Sequence, residues 1–425
     1  MKKVLLITFY FPPHPAVASL RPLSLARYLP EFGWEAVMLT PPLPGKPAPH
    51  FEVIQTQYHD VLGFWKRLLG LDPQAPLVAQ VKNKLNVRSE KPFLDRVLPL
   101  VAGIFAYPDP QKGWRMFAVK AGMDILGQRD VKAIISTSPP GTCHVIGKTL
   151  KDEFKTPWIA DFQDLWTQHH LYIYGPLHRA FERRLELKTI SAADALVTAS
   201  QPASEELGAL HKRNLVHTVA YGFDPEEVNV APAKLTEKFT ITYTGNLYPR
   251  RQSPEPLFAA LRDLIAAGDM DAGDVEVRFY GIESGWIDGL AQRYGLAGIV
   301  RQFGIVPREA ALDKQRESQV LLLLKWNDVR QKGVYTAKIW QYLAARRPVL
   351  AVGGFPDVVD QLLYETRAGV CGQAEENVRA LLLPMYREYK STGAVSHSGD
   401  EAEISKYSHR QIAKEFASIL DSLTR

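Results

Sequence analysis

Gly333-Val-Tyr335-Thr336-Ala-Lys338-Ile-Trp-Gln341-Tyr-Leu-Ala-Ala-Arg-Arg-Pro348-Val-Leu-Ala-Val-Gly353-Gly354 is the stretch on which the fold reading turns. It begins with a glycine and hydroxyl residues and runs through one short helix. Pro348 stops that helix, and a buried-type strand follows, ending in Gly-Gly. Upstream, the apolar run Leu321 to Leu324 and Lys325 leads into it through a polar loop. Strand, loop, helix and strand in that order put backbone N–H groups and Lys338 at the edge of a parallel sheet, a geometry suited to phosphate.

Outward from this stretch, short apolar runs alternate with helical periodicity along most of the chain. Lys3 to Phe9, Glu35 to Thr40, Lys132 to Ser136, Pro157 to Ala160, Ala195 to Thr198 and Val216 to Ala220 read as the strands of a first half. Those of a second half are Phe239 to Tyr243, Val275 to Tyr280, Ile299 to Phe303, Val320 to Leu324, Val349 to Val352 and Ala368 to Cys371. Alternation of this kind predicts α/β architecture, with two Rossmann-like doubly wound domains facing a central cleft. The expected boundaries are 1–224, 225–404 and a C-terminal helix, 405–425, packing back on the first domain. Residues 45–110 are proline-broken and irregular and are expected to form an insertion. The polar run Ser391 to Ser405 is expected to be a loop.

Composition narrows the class. With 425 residues, 46% apolar and 23% charged, the chain is long enough for two or three domains of ordinary globular character. The start, Met1 to Phe11, has a superficial signal-peptide look, but its apolar run is short and Pro12-Pro13 follow, so a first buried strand is expected. No apolar run reaches the ~18 residues of a spanning helix. Cys143 and Cys371 lack metal-ligand spacing and read as reduced core residues, consistent with a cytoplasmic protein. Net charge is +5, yet residues 61–120 hold ten basic residues against four acidic. Beside Phe64, Trp65, Phe93 and Phe105, that surplus suits an anionic membrane surface for 61–105, on the inner face, or a lid over an acceptor. No nucleic-acid-binding module is present.

Four segments resemble the GT-B glycosyltransferases, specifically the large retaining group of family 4. They are Thr8-Phe-Tyr-Phe-Pro-Pro with Arg21 behind it, Trp158-Ile-Ala-Asp161-Phe-Gln-Asp164-Leu-Trp166, Thr242-Tyr-Thr-Gly-Asn-Leu, and Lys338 to Val352. The resemblance implies a nucleotide-sugar donor held by the second half and a glycan or lipid-linked acceptor on the first, in cell-surface polysaccharide or glycoconjugate synthesis. No cofactor is implied beyond that co-substrate. Two departures stand out. Gln341 and Gly333 occupy the positions of the family's glutamate pair, and Gln163 replaces an arginine.

Lys338, in the first turn of a helix behind a glycine loop, is expected to meet the donor's phosphates. Arg251 is expected to do so too, in preference to Arg250, because arginine's fork suits two phosphate oxygens. Gly245, Asn246, Gly281, Tyr335 and Thr336 complete the expected donor site, with Gln341 as a neutral hydrogen-bonding group. Asp161 and Asp164 follow a buried strand and are the candidates for orienting or deprotonating an acceptor hydroxyl. Arg21 and Ser19 are expected on a phosphate or acceptor side. Asp269-Met-Asp271 spells D-x-D but lies at the wrong end of the sheet, so no metal is expected. Other readings are a noncatalytic nucleotide-sugar scaffold and another GT-B reaction such as epimerisation.

Overall fold

The computed structural model describes residues 1–68, 70, 72, 80, 107–170, 172, 175–228 and 233–425. The chain divides into two compact units, Met1–Ala220 with Ile412–Arg425, and Tyr221–Gln411.

The first unit is built on a seven-stranded sheet. Its strands are β1 (Lys2–Ile7), β2 (Trp34–Thr40), β3 (Glu52–Gln55), β4 (Val131–Ser138), β5 (Trp158–Phe162), β6 (Ala195–Thr198) and β7 (Leu215–Thr218). They lie in the order β3-β2-β1-β4-β5-β6-β7, and every pairing is parallel. Strands such as Val4-Leu-Leu-Ile7 and Ala133-Ile-Ile135 are continuous apolar runs because helices cover both faces. The order reverses between β1 and β4, so the loops leaving those strands open at the switch point. The last helix (His409–Leu423) belongs to this core from Ile412 onward. Ile412, Phe416 and Leu420, one helical face, pack with Leu25, Tyr28 and Trp34. Asp421 accepts hydrogen bonds from Trp34 Nε1 at 3.1 Å and Lys2 Nζ at 2.8 Å.

The second unit carries six parallel strands: β8 (Phe239–Thr244), β9 (Val275–Tyr280), β10 (Val300–Gln302), β11 (Val320–Leu324), β12 (Val349–Val352) and β13 (Gly369–Gly372). Their order is β10-β9-β8-β11-β12-β13, which places the switch point between β8 and β11. Its core joins Phe239, Ile241 and Tyr243 of β8 to Val277, Leu322 and Leu350 of the neighbouring strands.

Two segments differ from the sequence expectation. Within the stretch expected to be irregular, Glu52–Gln55 adds a parallel edge strand to β2. Its pattern is hard to see because an edge strand half exposes its residues. Glu401–Ser405, inside the run expected to be a loop, is a short helix capped by Asp400, whose side chain accepts from the Ala402 and Glu403 N–H groups. Among the described residues, no helix is long and apolar enough to cross a membrane. Phe64 is 57% exposed. Phe93, Phe105 and the basic residues from Lys82 to Arg96 lie outside the described residues.

Candidate functional site

In the second unit the strand ends converge on Lys338. This residue opens the helix Lys338–Ala345, whose Ile339, Trp340, Tyr342 and Leu343 are buried. The residue before it, Ala337, has no side-chain cap to offer, and of the first-turn N–H groups that of Ile339 donates to Thr336 O at 3.1 Å. The Lys338 side chain runs back along the loop after β8. A Cβ on Gly245 would stand 2.7 Å from Lys338 Cε, and Nζ lies 5.2 Å from the centre of the Tyr243 ring. Burial pushes the Lys338 ammonium down to about 8, and among the described residues no neighbouring carboxylate offsets that desolvation.

The backbone around it is close-packed. Gly245 has φ +106° and donates its N–H to Tyr280 O at 2.7 Å, at the end of the neighbouring strand. A Cβ on Gly281 would stand 2.3 Å from Gly245 O, which requires glycine there. Asn246 is exposed, and its carbonyl accepts from Tyr243 Oη at 2.9 Å. Further along the same loop Arg251 is exposed, its guanidinium 6.0 Å from the Trp326 ring. Tyr248 lies 5.1 Å from that ring too. Asn327 N donates to Arg251 O at 2.7 Å and Gln252 Nε2 to Leu324 O at 2.9 Å, tying the loop to the end of β11.

Gln341 is one helical turn from Lys338. Its Oε1 accepts from Gln315 Nε2 at 3.2 Å, and Gln315 also donates to Thr244 Oγ1 at 2.8 Å. Thr336 O accepts from Ile339 N at the start of the helix. Tyr335 packs its ring 4.9 Å from Trp340, and burial raises its pKa.

The first unit sorts its candidates differently. Places behind the first loop and at a strand end pointed Arg21 toward a phosphate and Asp161 toward an acceptor. In the structure their side chains are 1% and 0% exposed, with Arg21 Nε 3.8 Å from Asp161 Oδ2. Arg21 also donates to Val219 O at 2.7 Å, and Thr137 Oγ1 donates to Asp161 at 2.9 Å. Burial raises the Asp161 pKa against the pull of Arg21 and Thr137. Gln163, the residue standing in for arginine, reaches Ala18 O at 3.0 Å and Thr137 Oγ1 at 2.9 Å. It thereby ties the first loop to the end of β5. Ser19 Oγ donates to Ala16 O at 2.6 Å within that loop. Asp164 is different in kind, with 49% of its side chain exposed and His169 Nε2 at 3.9 Å. Protein crowded around it raises its pKa, and His169 pulls the other way.

Tyr243, Trp326 and Gln315 were not picked out from sequence. Trp326 sits one residue beyond Lys325 at the end of β11, so strand-end position alone would have singled it out. The contacts of Tyr243 and Gln315 join residues 95 and 26 positions apart, and carry no local signal. Asp269 and Asp271 lie between a helix and the start of β9, where Asp271 Oδ1 accepts from Gly273 N at 2.8 Å. Among the described residues no group of three or more His, Cys, Asp or Glu gathers as a metal site. Both cysteines are free, Cys143 buried and Cys371 half-buried.

No protein-family model matches the sequence, and no curated protein matches it. Solved structures do match along its whole length. HepE from Anabaena, in complex with UDP, aligns with a TM-score of 0.62 at 14% identity, covering 100% of both chains. Sucrose-phosphate synthase from Thermosynechococcus elongatus gives 0.58 at 16%, covering 100% of this chain and 95% of that one. A glycosyltransferase from Rickettsia africae gives 0.58 at 12%, covering 99% and 98%. The likeness shows the fold. This chain has the GT-B fold class, with two Rossmann-like α/β domains.

Proposed function

We propose that this protein is a glycosyltransferase that moves a sugar from a nucleotide-sugar donor to a glycan or lipid-linked acceptor. The observation that carries the reading is Lys338, a desolvated cation that no carboxylate among the described residues offsets, laid along Gly245 at a helix start without a side-chain cap. Such a site favours a diphosphate, whose oxygens would accept from Lys338, Arg251 and the first-turn N–H groups other than that of Ile339. Support also comes from the fold shared with HepE, which was crystallised with UDP and glucose and with UDP-glucose.

In the proposed reaction the bond between the sugar's C1 and the diphosphate oxygen breaks, and its electron pair leaves on that oxygen. The acceptor's hydroxyl oxygen bonds to C1 and gives up its proton to a base. Lys338 and Arg251 offset the charge gathering on the leaving diphosphate. Asp164 is the better acceptor-side candidate of the two aspartates, because Asp161 is consumed by its buried pairing with Arg21. We take transfer to be retaining and metal-independent, by the resemblance of the four motifs, and to serve polysaccharide or glycoconjugate synthesis at the cytoplasmic membrane face. Liposome flotation with and without residues 61–105 tests that last part, and equal partitioning would sink it.

A thermal-shift screen of UDP-, GDP-, ADP- and dTDP-sugars tests the donor, and release of nucleotide in the presence of candidate acceptors tests transfer. A second reading has its own support. By the resemblance a carboxylate usually stands at position 341, whereas Gln341 is neutral and its amide oxygen accepts from Gln315. Binding without turnover across a broad acceptor set would favour a nucleotide-sugar-binding scaffold.

A further inference from the structure

A cavity of about 380 Å³ opens in the second unit beyond the Arg251 loop. Its walls include Ser253 and Glu255 at the start of the helix Glu255–Ala266, Tyr294, Asn327 after β11, and Gln373 and Glu375 after β13. Gly353 and Gly354, with φ of +79° and +67°, form part of its lining where β12 ends. A Cβ on Gly354 would meet Lys325 Cβ at 2.8 Å and Trp326 O at 2.9 Å, so the turn closes tightly on the neighbouring strand.

The charge of this cavity separates it from the Lys338 site. Lys325 reaches its lining, but the Lys325 side chain is 1% exposed. It is held by Asp360, by Asp357 at 3.3 Å and by Phe355 O at 2.7 Å. Its charge is therefore already balanced by two carboxylates. Arg293 stands 3.9 Å from Glu255 and Arg262 3.6 Å from Glu375, each toward solvent at 70% and 47% exposure. With Lys325 held by two carboxylates and each wall glutamate beside an arginine, the cavity gives a phosphate no net positive charge to meet. What it offers is one hydroxyl, two primary amides, two carboxylate acceptors and an aromatic ring, whose Tyr294 Oη donates to Glu255 at 3.0 Å. That set matches a ligand that both donates and accepts at several adjacent hydroxyls and has an apolar face. The volume lies at the low end of small-molecule sites, enough for one or two sugar rings.

We propose that this cavity is a binding site for a neutral carbohydrate, separate from the diphosphate site and independent of any nucleotide. Asn327 and Gln373 supply paired donors and acceptors to vicinal hydroxyls, Glu255 and Glu375 accept, and the Tyr294 ring takes the sugar's C–H face. A transferase can use such a site to hold a glycan on which it acts, but binding there does not require the transfer reading to be right.

Saturation-transfer NMR on the full chain tests this with the methyl glycosides of glucose, galactose, mannose and N-acetylglucosamine as probes. At least one is expected to receive saturation from the protein, and 1 mM UDP is expected to leave that signal in place. Asn327→Leu and Gln373→Leu, both at exposed positions, are expected to weaken it at least tenfold without changing the melting temperature. No transfer to any of the four glycosides overturns the proposal, as does a signal that survives both substitutions or is displaced by UDP. Failure of every nucleotide to bind, with the glycoside signal intact, would instead count against the transferase reading alone.

Discussion

Lys338 lies along Gly245 so closely that a methyl group on the glycine would come within 2.7 Å of the lysine's Cε. Gly245 also holds φ +106°, a conformation that side-chain-bearing residues rarely adopt. Gly245→Ala therefore strains the backbone and displaces the ammonium together. The expected result is a loss of roughly 1–3 kcal/mol in urea unfolding, the range for a strained backbone position. Nucleoside diphosphate affinity should also fall, measured by calorimetry.

The pH dependence of Lys338 has a definite sign. Desolvation lowers its pKa from 10.5 to about 8 in the folded chain. Between those values the unfolded chain keeps a proton that the folded chain has released. The ligand-free protein should thus gain stability as pH rises from about 8 toward 10.5, and lack that contribution below 8. A bound diphosphate favours the ammonium, so its affinity should fall as pH rises through about 8. Urea melts and titrations across this window check both slopes, and Lys338→Met should flatten them.

Arg21 and Asp161 are a pair whose members cannot be removed singly at low cost. Both side chains are essentially unexposed. Arg21→Met leaves an uncompensated buried carboxylate and should destabilise the protein by about 3–5 kcal/mol, read from the urea midpoint and slope. Asp164→Asn should act in the opposite way. Its side chain is half exposed, so the melting temperature should hold while transfer, once an acceptor is found, falls about 10²-fold or more.

Tyr342 joins two strands beneath the site. Its hydroxyl accepts from Thr244 N at 3.1 Å and donates to Leu322 O at 3.1 Å, and burial pushes its pKa up to about 12 against the pull of Thr244. Tyr342→Phe leaves a buried N–H and a carbonyl without this partner. The expected cost is roughly 1–3 kcal/mol, seen as a lowered denaturation midpoint with an unchanged slope.

Much of this architecture could be read before any coordinates. The alternating apolar runs located the strands, because parallel strands covered on both faces are apolar throughout. The short helix of the opening stretch begins at Lys338 because Ile339, Tyr342 and Leu343 repeat on one face, and the chain leaves it just before Pro348. What spacing could not show was which polar residues turn inward. Arg21 and Asp161 lie 140 positions apart, and only the fold brings them together. Their burial follows from the Val219 carbonyl and Thr137 hydroxyl that meet them. Nor does sequence show that Gln341 hands its carbonyl to Gln315. The helix at Glu401 was legible in principle, since Asp400 and Glu403 have capping spacing, but the polar run around it lacks apolar periodicity.

Calorimetric titration of UDP, GDP, ADP and dTDP into the wild-type protein and into Lys338→Met, at pH 7, asks whether the Lys338 ammonium holds a diphosphate. At least one nucleoside diphosphate is expected to bind the wild type and to bind the variant tenfold or more weakly, with the melting temperature of the free protein unchanged or raised. Equal affinity in the two proteins, or no binding by any of the four, would contradict that assignment.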